Sequence, residues 1–257
     1  MEERLIKTHI EAARLLGKVK DDFRKEISDG NIKDEYEGKR FILKRFKEYG
    51  LRTDKDCPIV AFGRNTSFVH YFPTTNSLRL KDEMPILLDI WGHIPNGVYA
   101  DMTWMFYKGR HASPKLLRAF EAVISSRDAM ISFLRDSLQD KKLPASNRCD
   151  SIVRDALNEH KLGAYFLHST GHSMTQRLVH GWKSNRGITP RNPNKISKMM
   201  PYTVEPGLYF RHLDAPFGVR SEMDFYINKD NKVILTSDVQ KELDFILPKG
   251  QERLSGF

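Results

Sequence analysis

The sequence predicts an α+β domain, and two observations carry that prediction. Long runs place apolar residues at helical spacing, and shorter runs are apolar or alternating and rich in β-branched and aromatic residues. Both kinds come in blocks of two helices followed by strands, and the block occurs twice along 257 residues. A hydrophobic content of 40% with 11% aromatics is enough for a substantial core, so one domain is expected.

Residues 2 to about 29 carry Ile6, Ile10, Ala13 and Leu16 at helical spacing, closed by an Asp29-Gly30 turn. A second helix is expected from about Lys33 to Tyr49, stopped by Gly50. Pro58 to Phe62 reads as a strand, and Asn65-Thr66-Ser67 as a polar loop before Val69-His70-Tyr71. From Leu87 to Gly109 two apolar, β-prone runs flank Pro95-Asn96-Gly97, which is a β-hairpin pattern. Ser113-Pro114 is a helix start, and Leu116, Phe120, Val123, Ile131, Leu134 and Leu138 mark one long amphipathic helix. A further helix spans about Asn147 to His160 and ends near Gly163. Val233 to Leu235 and Phe245 to Leu247 read as strands that finish the sheet, before a polar tail from Lys249.

A net charge of +9 makes the surface basic, but the 42 basic residues are spread along the chain and read as ordinary solvation, so nucleic acid is not the expected partner. Cys57 and Cys149 lack metal-type spacing and read as free thiols of a reducing compartment. The N-terminal MEERLIKTH has no apolar core, and no run approaches the ~18 apolar residues of a membrane span. A cytoplasmic protein without a membrane partner is expected. The segment from Trp182 to Met199 holds Lys183, Arg186, Arg191, Lys195 and Lys198 and no acidic residue. Its composition reads as a solvated loop; its functional alternative is a rim that holds a substrate carboxylate or another anion.

The hairpin contains the first chemical signal. Asp89 and Asp101 sit in apolar β-prone runs, where Asp is depleted and needs a partner, although each also reads as a turn or strand-end residue. Three further ligand-type residues stand beside glycine or in β-prone runs: His172 in LHSTGHSM, Glu205 in YTVEPGLYF and Glu222 in GVRSEMDFYI. The flanking residues argue for inward-facing carboxylates on strands. Four carboxylates and one imidazole make a hard, oxygen-rich set suited to one or two divalent ions such as Mn, Co, Fe or Zn, and not to a thiolate-type zinc site.

These words, in the order Asp, Asp, His, Glu, Glu, closely resemble the pita-bread metallopeptidases, the group of methionine aminopeptidase, aminopeptidase P and prolidase. PIVAFGRNTSFVHYFP, LLDIW, ADMTW, LHSTGHSM, LVHG, TVEPGLY and GVRSEMDFYI carry the resemblance across almost the whole chain, and VHYFP, HSTGH and GVRSE draw it toward the prolidase and aminopeptidase P branch. The resemblance implies a pita-bread (creatinase/aminopeptidase) fold with pseudo-two-fold halves, approximately 1–110 and 111–257, around a dinuclear metal site, without the separate N-terminal domain common in that branch. It implies two divalent ions, manganese first and Co, Fe or Zn as alternatives, held by Asp89, Asp101, His172, Glu205 and Glu222, with Asp101 and Glu222 bridging. The implied reaction is hydrolysis of the N-terminal bond of a peptide or dipeptide, at Xaa-Pro, by a metal-bridging hydroxide with Glu205 as general base. His70, His168 and His180 would serve catalysis, and His70, His180 and Arg220 substrate binding; a homodimer is a further implication. Within the class the alternative is a methionine aminopeptidase. Outside it are a non-catalytic protein- or RNA-binding relative and a creatinase-like enzyme without metal, both disfavoured by the intact ligand set. Two words depart from the family: Trp104 follows Thr103 where arginine is usual, and GHSM replaces GHGIG, departures expected to alter the substrate pocket.

Overall fold

The computed structural model describes residues 1–180 and 187–247. Helix α1 (Glu3–Asp29) ends where Gly30 takes a left-handed conformation, φ 75°, and its N–H reaches back to the last turn. Asp34 caps helix α2 (Glu35–Glu48) by accepting from the Glu37 N–H at 2.8 Å. Strand β1 (Ile59–Phe62) follows, then the hairpin of β2 (Met84–Gly92) and β3 (Ala100–Lys108). Ser113 caps α3 (Pro114–Gln139), which has proline in its first turn, and α4 (Ser146–Glu159) packs against it. Each expected helix and the hairpin are present.

The second half supplies short strands: β4 (Gly171–His172), β5 (Gly187–Ile188), β6 (Tyr202–Val204), β7 (Gly207–Phe210), β8 (Phe217–Arg220), β9 (Met223–Ile227), β10 (Val233–Leu235) and β11 (Asp244–Ile246). They do not finish one sheet. The four-stranded sheet runs β1-β2-β3-β11, with β11 parallel to β3; β10-β9-β6 form a second sheet, and β4-β5 and β7-β8 are separate pairs. Helices α1 and α2 pack on the first sheet, α3 on β8 and β7, and one continuous apolar core joins the two halves. This is the pita-bread architecture.

Two expectations are sharpened. The described part of the basic segment is a loop exposed at Arg191 and Lys195, yet it is pinned to the body: Ile188 and Ile196 are buried, and Lys195 and Lys198 form backbone bridges to Ala145 and Ile227. Lys183, Arg186 and the tail from Lys249 lie outside the described residues. Both cysteines are buried free thiols, and burial pushes the Cys149 thiol up to about 12. Among the described residues no helix is long and apolar enough to cross a membrane.

Candidate metal centre and its cleft

The hairpin register builds half of the centre. Asp89 lies opposite Thr103, and Trp91 opposite Asp101, so all four project from one face of the sheet. The other half comes from the ends of short strands. His172 closes β4, Glu205 follows β6, and Glu222 stands between β8 and β9. The two glutamates therefore sit at strand junctions and not within strands, as their neighbours had implied. A junction lets a carboxylate turn toward the cleft while the backbone on either side stays paired: the Glu205 N–H donates to the Thr170 carbonyl at 2.8 Å. Gly171 is needed beside His172, because a Cβ there would lie 2.1 Å from the Thr203 carbonyl oxygen.

The five expected ligands converge. Asp89, Asp101 and Glu222 place oxygens within 4.8 Å of one another, as do the donor atoms of His172, Glu205 and Glu222. His172 Nε2 is 3.2 Å from Glu205 Oε1 and 3.7 Å from Asp101 Oδ2. His180 forms a third such group with Asp101 and His172, so the geometry offers it as a donor as well. The electrostatics are those of a site built for cations. Burial, then the neighbouring Glu222 and Asp89, push the Asp101 carboxyl far above the usual range, and burial with Glu205 does the same to Glu222. Burial raises Glu205 to about 8, against Arg220. Burial, with His180 alongside, pushes His172 down to about 3, which leaves a neutral imidazole. Glu222 Oε1 is buried with no hydrogen-bond partner. Four carboxylates that repel one another, a neutral imidazole and an orphaned oxygen fit divalent ions.

Arg220 is the guanidinium inside the cluster. Burial opposes its charge, but Tyr209, Asp89, Glu205 and Glu222 outweigh that and hold its pKa above the usual value. It pairs with Asp89 and donates from Nε to the Thr103 hydroxyl at 3.0 Å, and that hydroxyl donates to Glu222 at 2.7 Å. Arg220 thus braces two donors from behind. His70, exposed, and His168 and His180, partly exposed, line the same cleft of about 490 Å³. His168 lines the cleft with both nitrogens engaged, 2.8 Å from the Ser169 carbonyl and 2.9 Å from the Tyr209 hydroxyl.

Neither family departure reaches the cleft. Trp104 projects from the opposite face of β3, beneath the Lys20 ammonium at 4.0 Å, and Met174 is buried in the core. Strand alternation turns Trp104 away, and among the described residues neither Ser173 nor Met174 lines the cleft. Several supporting residues escaped the sequence reading. Asp224 accepts from the Asp101 N–H at 2.9 Å; Thr203 accepts from the His172 N–H and donates to Glu205; buried Arg127 donates to Ser221, next to Glu222. Buried Glu35 accepts from Phe62, Asn65, Tyr71 and Leu78 and so fixes the loop that carries His70. Thr203 and Asp224 were signalled only by polarity in apolar runs, and Glu35 in KDEYEGKR and Arg127 in SSRD not even by that.

The comparisons agree with this architecture. A solved prolidase from Thermococcus sibiricus superposes with a TM-score of 0.80 at 26% identity, over 95% of this chain and 61% of that one. An X-Pro aminopeptidase from Thermotoga maritima gives 0.82 at 20% identity, over 96% and 64%. A Mycoplasma genitalium relative, provisionally named an Xaa-Pro aminopeptidase, is 26% identical over 200 residues, 76% of this chain and 51% of that one. The chain spans about half the length of the curated relatives it matches. The profile of metallopeptidase family M24 matches residues 7–229, most of the sequence, and the chain belongs to that family.

Proposed function

We propose that the protein is a metal-dependent exopeptidase that hydrolyses the N-terminal bond of peptides or dipeptides, with Xaa-Pro bonds as its preferred class. One observation carries the reading: Asp89, Asp101, His172, Glu205 and Glu222 converge in a buried cleft with too little positive charge to balance them. These five would hold two divalent cations, manganese first, with Co, Fe or Zn as alternatives. Bound there, the cations would act as Lewis acids on the substrate carbonyl and acidify water.

The chain's own groups supply the rest. Glu205 keeps part of its side chain open to the cleft, 14% exposed, and is the base that takes the proton from the attacking water. His180, edge-on to both His172 and Trp91, stands beside the donors and positions the substrate, and His70 does so from the rim. Arg220 holds Asp89 and Thr103 in place and contributes positive charge near the scissile carbonyl. The names of the prolidase and Xaa-Pro aminopeptidase relatives support proline as the residue after the scissile bond.

Elemental analysis of protein purified without chelator, followed by a peptide panel with Mn added, tests this. About two ions per chain and faster turnover of Xaa-Pro than of Met-Ala peptides are expected. The reverse order would make it a methionine aminopeptidase, and no ion would defeat the reading. Glu205→Gln is expected to lower turnover by about a thousandfold while far-UV circular dichroism is retained.

A further inference from the structure

The segment between α2 and β1 closes on a single residue of the cleft, Trp91. Arg52 and His93 exchange two backbone N–H to carbonyl bonds of 2.8 Å, which lays the segment along the end of β2. The Thr53 hydroxyl donates to the Trp91 carbonyl at 2.6 Å, and the Trp91 backbone N–H donates to the Cys57 sulfur at 3.4 Å. The side chain is held as well: its indole N–H donates to Asp54 Oδ1 at 2.9 Å. That oxygen also accepts from the Asp56 N–H at 3.1 Å and the Cys57 N–H at 3.3 Å, so the carboxylate is fixed by its own turn.

Packing alone does not call for such an acceptor. The other tryptophan of the hairpin, Trp104, keeps a buried indole N–H with no partner. What distinguishes Trp91 is its neighbour on the cleft side. Its ring meets that of His180 edge-on, with centres 5.4 Å apart, and His180 meets the metal-donor His172 in the same way at 4.8 Å. Exposure divides the roles. Trp91 borders the cleft yet is only 3% exposed, so a substrate meets little of its ring, whereas His180 is partly exposed to the same cleft.

We infer that Asp54 and Trp91 are a positioning pair: the carboxylate fixes the indole, and the indole fixes the His180 ring for the substrate. The inference rests on the exopeptidase reading for what His180 does, and adds how its ring is held.

Trp91→Phe keeps a ring against His180 and removes the N–H. KM for an Ala-Pro peptide is expected to rise about fivefold, the scale of one hydrogen bond, with kcat changed less than about twofold and Mn affinity unchanged. Asp54→Asn retains an acceptor oxygen and should keep most of the native KM. Asp54→Ala, which also frees the Asp56 and Cys57 N–H groups, should raise KM at least as much as Trp91→Phe. The deciding comparison uses His180→Ala chains, in which adding Trp91→Phe should leave KM where it is. A lower Tm in Trp91→Phe with native KM would show a merely structural residue, and a rise in KM that persists without His180 would show that Trp91 meets the substrate itself. Either result overturns the pair.

Should no peptide be cleaved, the His180 ring still reports the arrangement. In NMR spectra of Zn-loaded protein labelled in its histidine rings, the His180 resonances, assigned with His180→Ala, should shift in Asp54→Ala and stay in place in Asp54→Asn. That result would keep the pair and defeat only the hydrolysis. Resonances unmoved in Asp54→Ala, or moved equally in both variants by the lost charge, would defeat the pair itself.

Discussion

The two faces of the β2–β3 hairpin are made by the same strands and do opposite things. On one face Asp89, Trp91, Asp101 and Thr103 project into the cleft; on the other Leu88, Ile90, Met102, Trp104 and Phe106 project toward α1. The second face is ordinary core. Phe106 is fully buried, with its ring centre 6.0 Å from that of Phe23 on α1. The first face concentrates carboxyls whose mutual repulsion and burial oppose the charged state. A sheet can carry such a face only because the other one secures the strands and because cations would relieve the repulsion.

That contrast is sharpest between two positions on β3. Asp101→Asn keeps the shape of the side chain and the acceptor for the Met102 N–H, now 2.9 Å away, and removes one of the repelling carboxyls. Turnover is expected to fall by about a thousandfold, the scale of losing a transition-state contact. The thermal midpoint of the metal-free protein should hold steady or rise, while the increase on adding Mn disappears. Phe106→Ala should do the reverse. It is expected to cost about 3–5 kcal/mol and to lower Tm by about 10 °C, with metal content per folded chain unchanged. Scanning calorimetry with and without Mn reads both; a large loss of metal-free stability in Asp101→Asn would show that its carboxylate is a structural anchor instead.

The hairpin was legible because its signals are local: alternation, the Pro95-Asn96-Gly97 turn and aspartates out of place among apolar neighbours. The helices were legible for the same reason, through their spacing and caps. What escaped depends on pairing across long stretches of chain. Glu205 and Glu222 were identifiable as unusual, yet their junction positions follow from strands of three to five residues whose partners are set by tertiary packing. The parallel pairing of β11 with β3 joins Asp244 to Phe106, and no local pattern announces it. Nor does one announce the contacts behind the donors, such as Asp224 with the Asp101 N–H or Glu35 with the loop around His70.

His9 is another long-range contact of this kind, and it makes the supporting side of the hairpin sensitive to acid. Its ring is fully buried on α1, with Nδ1 2.7 Å from the Tyr99 carbonyl, just before β3, and Nε2 2.7 Å from the Thr236 hydroxyl. Burial pushes its pKa down from 6.5 to about 4, against the pull of the Tyr99 carbonyl. Between those values the unfolded chain binds a proton that the folded chain refuses. The contribution is therefore complete above pH 6.5 and lost as pH falls toward 4, about 3 kcal/mol in total. His9→Gln removes this dependence. The stability gap between the native chain and the variant, measured by urea titration, should move by that amount in favour of the variant from pH 7 to pH 4. A gap independent of pH would show that His9 titrates as it does in the unfolded chain.

The smallest effect is expected at Trp104, the residue that most clearly departs from the family wording. Its ring lies under Lys20, a contact worth about 0.5–1 kcal/mol at partly exposed sites, while its indole N–H is buried without a partner. Trp104→Phe weakens the first and removes the second. An unsatisfied donor costs about 1–3 kcal/mol, so the two changes oppose each other and the net effect on stability should stay within about 1 kcal/mol. Because Trp104 faces away from Asp101 and Thr103, kcat and KM should be unchanged. A shift in either constant would mean that strain on the core face reaches the donors through β3, and the separation of the two faces would fail at the position where the sequence departs from its family.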